Sequence, residues 1–185
     1  LMNFAGLDFA ADGAGWPPDT HGDVGPNHYI QAVNTSIGIY SKTTGAELVH
    51  LPFDTFFSNN GGSGMCATYN NGDPIVVYDQ ISGRWIITDF AWSNLDNGPY
   101  YECIAVSKTA DPVSGGWWLY TFVADNVALN DYPKLSIWSD GIYMSANMFD
   151  CYSNCTGANY TGTKVWALNR DDLISGAVLR SISFT

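Results

Sequence analysis

Short stretches of alternating apolar and polar residues run along the whole chain, separated by clusters of Gly, Pro, Asn and Asp. This two-residue period predicts β-strands, because successive side chains of a strand point to opposite faces of a sheet. Residues 75–78 are apolar throughout, which predicts a strand buried on both faces. Helical signals are limited to residues 51–57 and 171–176. The predicted strands cover residues 29–34, 37–45, 85–91, 103–112, 117–124, 143–149, 164–172 and 178–185.

One phrase recurs among these strands. Asp73 and Asp131 are each followed ten residues later by a Gly, and two residues after that by an aromatic residue. A shorter copy of the phrase begins at Asp23. The three aromatic residues, at intervals of 56 and 58 residues, are Tyr29, Trp85 and Tyr143. A repeat of this length that is built of strands is typical of propeller blades.

The repeat predicts an all-β, β-propeller-like domain over residues 1–185, with about three four-stranded antiparallel blades. The expected blades are residues 11–50, with a loop at 51–65, then 66–125 and 126–185. Residues 2–10 are expected to be a strand of a preceding or neighbouring blade. Three blades are too few to close a ring, so the propeller is expected to be partial or to be completed by other chains.

Charge and composition exclude several classes of function. The 185-residue chain has 18 acidic and 7 basic residues, a net charge of −11, and such a surface repels the phosphate backbone of nucleic acids. No apolar run approaches the ~20 residues that a membrane-spanning helix needs. No basic and apolar leader is present, so any signal peptide is expected to have been removed. Aromatic residues make up 15% of the chain and charged residues 14%, which is typical of an extracellular β-rich protein.

Four cysteines predict two disulfides, with free buried thiols as the alternative. Cys151 and Cys155 flank a short loop and could close on each other. Cys66 precedes the first strand of the second repeat, and it could pair with Cys103 on the third strand. No Cys-x-x-Cys is present, which argues against a zinc site.

Three Asn-x-Ser/Thr sequons support an exported glycoprotein. Asn154 and Asn159 lie in a loop rich in Gly, Asn and Ser that is expected to be exposed. Asn34 lies in a strand-like segment and is the weaker of the predicted glycosylation sites.

Repeated acidic residues suggest a metal site. Asp19 and Asp23 are four residues apart in a stretch containing glycines, and calcium prefers several carboxylate and carbonyl oxygens. The alternative is that these residues form turns by bonding their own backbone. Asp23, Asp73 and Asp131 are expected at the start of the innermost strand of each blade, around one mouth of a central channel. They would form an ion or ligand site there, or each would cap the loop before its own strand.

Signals for catalysis are weak, so no catalytic residue is predicted. Only two Glu residues are present, and no G-x-S-x-G occurs. His21 lies near the acidic stretch and is interpreted as a loop residue. Trp92 and Tyr100 flank a Gly/Asn loop and are the predicted glycan-binding platform, because aromatic rings stack on the apolar faces of sugars.

The stretches PPDTHGDVGPNHYIQAVN, NGDPIVVYDQISGRWIITDFA, YYECIAVSKTADP and NDYPKLSIWSDGIYMSAN resemble secreted bacterial proteins of the sialidase-like or BNR-like β-propeller type. The resemblance spans most of the chain and implies fold and location more than activity. Sialidases bind their substrate through three arginines. The three arginines here do not occur at predicted channel-facing positions, so sialidase activity is not expected. They are Arg84, Arg170 and Arg180.

Together these observations predict a secreted, extracellular module without catalytic activity, acting in binding or in surface or fibre assembly. The expected partners are a glycan, another protein, or copies of the same chain joined through open sheet edges. Two alternatives stay open. One is a structural subunit of a polymeric filament, and the other is a fragment of a carbohydrate-active hydrolase or lyase. Calcium is the only cofactor predicted.

Overall fold

A computed structural model describes residues 2–151 and 153–185, and it contains three four-stranded antiparallel sheets. The first sheet contains β1 (His21–Val24), β2 (His28–Val33), β3 (Ser36–Ser41) and β4 (Glu47–Pro52). The second contains β5 (Gly72–Asp79), β6 (Arg84–Ala91), β7 (Tyr100–Ser107) and β8 (Trp117–Asp125). The third contains β9 (Ala128–Ile137), β10 (Gly141–Asp150), β11 (Asn159–Asn169) and β12 (Ser181–Phe184).

The arrangement of the sheets confirms the predicted all-β, propeller-like fold. In each sheet the strands follow one another in chain order, so each sheet is a simple meander. The first strands of the three sheets, β1, β5 and β9, contact one another in sequence. They are therefore the innermost strands of three successive blades.

Helices are short, as the sequence predicted. They are α1 (Phe9–Asp12), α2 (Phe53–Asn59) and α3 (Arg170–Ser175), with single 3₁₀ turns at Met65–Ala67 and Cys155–Gly157. α2 buries Phe53, Phe56 and Phe57 against the first two sheets. No helix of the described chain is long and apolar enough to cross a membrane.

Apolar side chains fill the two spaces between neighbouring sheets. Ile30, Ile37 and Ile39 of the first sheet pack with Trp85 and Ile87 of the second. Ile86 and Ile104, which point to the opposite face of the second sheet, pack with the third sheet. The second sheet is thus buried on both faces, which explains its continuous apolar run.

Both predicted disulfides form. Cys66–Cys103 joins the 3₁₀ turn after α2 to β7, and both residues are buried. Cys151–Cys155 closes the short loop after β10. The two bridges therefore differ in the length of chain that they constrain, which is 37 residues in one and 4 in the other.

Removing the longer bridge is expected to destabilise the protein far more than removing the shorter one. Cys66→Ala with Cys103→Ala should lower the free energy of unfolding by about 2–4 kcal/mol. A disulfide removes conformational entropy from the unfolded chain, and the amount removed rises with the length of the loop that it closes. Cys151→Ala with Cys155→Ala is the matched control and should cost much less. Urea denaturation of both double variants measures the difference, and equal losses would contradict this account.

The N-terminal segment differs from its prediction. Residues 2–10 contain no strand of any of the three sheets, and α1 begins at Phe9. The segment lies instead on the first sheet, where Phe4 packs against the rings of Tyr29 and Tyr40 at centroid distances of 6.4 and 5.2 Å. Leu7 donates its amide hydrogen to Gln31 Oε1 at 2.9 Å. This segment covers the face of the first sheet that points away from the second.

Candidate functional site

A β-bulge, in which two residues face a single residue of the neighbouring strand, occurs at the start of β5 and within β9, and a similar irregularity lies just before β1. In the second sheet, Gly72 pairs with Phe90 and Ile75 with Thr88, so two residues lie opposite Asp89 alone. The register shift between β9 and β10 is of the same kind. Just before β1, the backbone amide of Asn34 donates to Pro18 O, and His21 pairs with Ala32. Asp19 and Thr20 therefore lie opposite the single residue between Ala32 and Asn34. The paired bulge residues are Asp19–Thr20, Asp73–Pro74 and Tyr132–Pro133.

The first residue of each bulge has a left-handed backbone. The φ angles of Asp19, Asp73 and Tyr132 are 42°, 49° and 53°. This conformation is uncommon for residues other than Gly, and such positions cluster at functional sites. The same unusual geometry therefore recurs at one place in three successive sheets.

This register corrects the alignment that was read from the repeated phrase. Asp19, and not Asp23, occupies the position of Asp73, and Tyr132 occupies it in the third sheet, one residue after Asp131. Asp23 lies within β1, and its Oδ2 accepts the amide hydrogen of Tyr78 at 2.7 Å. Its Oδ1 accepts the amide hydrogen of Val24 at 2.7 Å. Asp23 thus joins two innermost strands and does not belong to the same ring of carboxylates.

The three bulges enclose a cavity of about 450 Å³. Its size falls within the range of small-molecule sites. Each sheet contributes three consecutive residues to the walls. They are Asp19, Thr20 and His21, then Asp73, Pro74 and Ile75, and then Tyr132, Pro133 and Lys134. We call this cavity the rim pocket.

Two carboxyl groups meet in the rim pocket. Asp19 and Asp73 both line it, Asn34 bonds to both residues, and the charge of Asp19 acts on the Asp73 carboxyl group. Burial raises the pKa of Asp73 to about 6, the charges of Asp19 and Asp131 act in the same direction, and the Tyr132 amide opposes them. That amide donates to Asp73 Oδ2 at 3.0 Å. Burial and the charge of Asp19 also raise the pKa of Asp131. Asp73 therefore takes up a proton at a higher pH than an ordinary aspartate does.

Asn34 fixes both members of this pair. Its Nδ2 donates to Asp19 Oδ2 and to Pro17 O, both at 2.7 Å, and its Oδ1 accepts the amide hydrogen of Asp73 at 2.7 Å. The side chain is buried, so the predicted glycosylation of Asn34 is incompatible with this fold. Sequence reasoning missed its positioning role, and the only available signal was its place at the end of the repeated second strand.

A histidine and a lysine supply hydrogen-bond donors to the rim pocket. His21 Nδ1 accepts the amide hydrogen of Val76 at 3.1 Å, which leaves the ring proton on Nε2 when the imidazole is neutral. Burial lowers the pKa of His21, and the charge of Lys134 does so too, so the neutral form prevails near pH 7. Lys134 Nζ lies 3.3 Å from the centroid of the Tyr132 ring and donates to Pro133 O at 2.9 Å.

Two further acids lie behind the pocket. Asp89 faces the bulge of the second sheet and accepts the Gly72 amide hydrogen at 3.2 Å. Burial, together with the charge of Glu102, raises the pKa of Asp89 well above its ordinary value. Glu102 Oε2 accepts from Asn130 Nδ2 at 2.8 Å, and both side chains are fully buried. These acids do not line the pocket, and the charge of Asp73 helps to raise the pKa of both.

The predicted aromatic platform is not formed. Tyr100 is fully buried, and its hydroxyl donates to Leu95 O at 2.6 Å, so its ring cannot stack on a sugar. The Trp92 ring packs against Phe90 and Tyr100, at centroid distances of 5.2 and 6.2 Å. These rings support the loop between β6 and β7.

The predicted calcium site finds no geometric support. Across residues 2–151 and 153–185, no group of three or more His, Cys, Asp or Glu side chains is placed to hold a metal ion. Both oxygens of Asp23 already accept amide hydrogens. Calcium binding by Asp19, Asp23, Asp73 and Asp131 stays a prediction.

Comparisons with known proteins give a distant likeness of fold. No family model matches the chain, and no curated protein does. One similar solved structure is a GH43 endo-arabinanase from Bacillus licheniformis, with 15% identity and a TM-score of 0.48 over 92% of this chain and 57% of that one. Another is an exo-1,5-α-L-arabinanase from a bovine ruminal metagenomic library, with 10% identity and a TM-score of 0.48 over 90% and 52%. The chain thus spans little more than half of either structure.

Proposed function

We propose that this protein binds carbohydrate outside the cell and that the rim pocket is its ligand site. The observation that carries the proposal is the placement of the Asp19 and Asp73 carboxyl groups in one cavity at the meeting point of three innermost strands. Half-buried carboxyl groups that are close together are unfavourable, because burial and mutual repulsion both oppose their ionisation. A ligand that donates hydrogen bonds to them offsets this cost.

The other pocket walls suit a sugar. Pro74, Ile75 and Pro133 are apolar and match the C–H faces of a sugar ring, while His21 Nε2 and Lys134 Nζ can donate to its oxygens. Ligand sites of this size combine mostly apolar walls with a few placed polar groups. The two carboxyl groups can accept hydrogen bonds from neighbouring hydroxyls of one ring.

Asp73→Asn is expected to weaken carbohydrate binding at least tenfold, since the amide cannot replace a carboxylate as a charged acceptor. Because rising pH ionises Asp73 as it passes about 6, wild-type affinity should increase between pH 5 and pH 8, and the variant should lose this increase. Native gel electrophoresis in a panel of soluble polysaccharides measures the binding as retardation. The panel includes arabinan, because the two similar structures are named as arabinanases.

Asp140→Asn is the matched control for this experiment. Asp140 is exposed and lies in the turn between β9 and β10, at the opposite end of the sheet from the rim pocket. It should leave retardation and its pH dependence unchanged. If no polysaccharide of the panel retards the wild type, or if both variants bind as tightly as the wild type, the proposal is wrong.

Glycoside hydrolysis is the second candidate function, favoured by the pKa of Asp73 near 6. A raised carboxyl pKa is what a general acid needs near neutral pH. Most glycosidases use a second carboxylate about 5–9.5 Å from the acid. Asp19 and Asp131 are the candidates for that role, because the charges of both act on Asp73.

Export of the protein is part of this proposal. Two disulfides form, and such bridges persist in oxidising compartments. The sequon residues Asn154 and Asn159 are exposed, as glycosylation would require. Assembly through open edges rests on weaker support. β12 is exposed along its length, but nothing in the fold identifies a partner chain for it.

A further inference from the structure

Trp16 is the most exposed aromatic side chain of the described residues, with 81% of its surface accessible. Its ring makes one edge contact, with Phe9 at a centroid distance of 5.3 Å. Trp is on average a highly buried residue, and this one belongs to neither of the two apolar cores. The contacts that Trp16 makes within the fold therefore do not explain why a tryptophan occupies this position.

The backbone around Trp16 is held at the rim pocket. Trp16 precedes Pro17, and the Pro17 carbonyl and the Asp19 carboxylate accept hydrogen bonds from the same nitrogen, Asn34 Nδ2. These two oxygens consequently lie within two hydrogen-bond lengths of each other. The Ala14 amide donates to Asn34 O at 3.1 Å, which anchors the chain on the other side of Trp16.

A second exposed ring lies in the wall of the rim pocket itself. Tyr132, which is 56% exposed, comes from the third sheet, whereas Trp16 precedes the first. Lys134 Nζ lies over the Tyr132 ring, which orients that ring and places a donor at the same wall. The carboxyl groups of Asp19 and Asp73 thus lie in a pocket that has the Tyr132 ring in one wall, while the exposed Trp16 comes three residues before the wall residue Asp19.

We propose that Trp16 forms a second sugar subsite next to the rim pocket, so that the ligand is a saccharide chain of at least two units. One unit occupies the pocket against the carboxyl pair, and the next stacks on the indole ring. Aromatic rings present a large, rigid apolar face to which the C–H face of a sugar is complementary. This inference rests on the proposed carbohydrate function and specifies the class of ligand.

The test compares the monosaccharide and the tetrasaccharide derived from whichever polysaccharide retards the wild type. The wild type should bind the tetrasaccharide at least tenfold more tightly, as measured by titration calorimetry. Trp16→Ala should remove most of this preference and leave affinity for the monosaccharide unchanged. Trp16→Phe keeps an aromatic face and should retain part of the preference.

Trp138→Ala is the matched control. Trp138 is 67% exposed and lies in the turn between β9 and β10, away from the rim pocket. It should preserve the full chain-length preference.

The outcomes separate the two proposals. If Asp73→Asn weakens binding while Trp16→Ala keeps the chain-length preference, the subsite is wrong and the proposed function stands. If Trp138→Ala removes the preference as much as Trp16→Ala does, the subsite is also wrong. If no polysaccharide retards the wild type, both are wrong.

Discussion

Arg170→Met is expected to lower the free energy of unfolding by about 3–5 kcal/mol, because it leaves a buried carboxylate without its partner. Arg170, at the start of α3, donates from Nε and Nη2 to Asp79 Oδ2 at 3.1 and 2.8 Å. Both side chains are buried. Burial alone would raise the pKa of Asp79, but hydrogen bonds from Ser82, Ile81 and Arg170 hold it below its ordinary value.

Arg180→Met is the matched control, since Arg180 pairs with Asp172 but its side chain is 73% exposed. The Asp172 carboxylate is buried but Arg180 is mostly in water, so this pair should contribute less than a pair with both members buried, and the variant should lose less stability than Arg170→Met. Adding Asp79→Asn to Arg170→Met removes the stranded charge, and the double variant should recover part of the loss. Equal urea midpoints for Arg170→Met and Arg180→Met would show that the buried pair does not stabilise the fold.

Glu102→Gln is expected to abolish a large part of the pH dependence of stability. Burial raises the pKa of Glu102 to about 8, the charge of Asp73 acts in the same direction, and the Asn130 amide opposes them. The folded protein therefore keeps a proton that the unfolded chain releases near its ordinary pKa of 4.5. Stability from this group is full below pH 4.5 and falls as pH rises through about 8, by on the order of 4 kcal/mol.

Glutamine keeps the shape of Glu102 and can still accept the Asn130 hydrogen bond, but it cannot ionise. The variant should be as stable as the wild type at pH 5 and more stable at pH 9. Urea denaturation at pH 5, 7 and 9 gives the slope of the free energy of unfolding against pH for the wild type and for the variant. Asp73 and Asp89 also have raised pKa values, so they too make the protein less stable as pH rises. Their contribution is present in both proteins, and the difference between the two slopes therefore isolates that of Glu102. Identical slopes would show that Glu102 does not carry this proton.

Much of the fold could be predicted because blade structure has a strong local pattern. The alternation of apolar residues identified most strands, and packing on both faces of the second sheet explained the run at residues 75–78, where Ile75 and Val76 are buried and Val77 and Tyr78 half-buried. The Cys66–Cys103 pairing was suggested by the strands of the second repeat, and the Cys151–Cys155 pairing by the short loop between these residues. The N-terminal segment was mistaken for a strand because its apolar residues also suit packing across a sheet, as Phe4 does against Tyr40.

The site was harder to predict because it depends on register. The repeated phrase pointed to Asp73 and to the neighbourhood of Asp131, but the spacing selected Asp23 in place of Asp19. A bulge adds one residue to a strand, and a period-two pattern does not show where that residue lies. Asn34 was interpreted as a glycosylation site. Its positioning role could not be predicted, because the residues to which its side chain bonds, at positions 17, 19 and 73, are brought together only by the fold.

The bulged walls of the rim pocket have a consequence for how such proteins diverge. Each wall is encoded by three consecutive codons at the start of one blade, and the paired bulge residues stand outside the regular ladder of their sheet. Point mutations there can change the shape and charge of one wall while the strands behind it keep their pairing. The choice of ligand and the stability of the blades are therefore encoded by largely separate residues at this end of the fold.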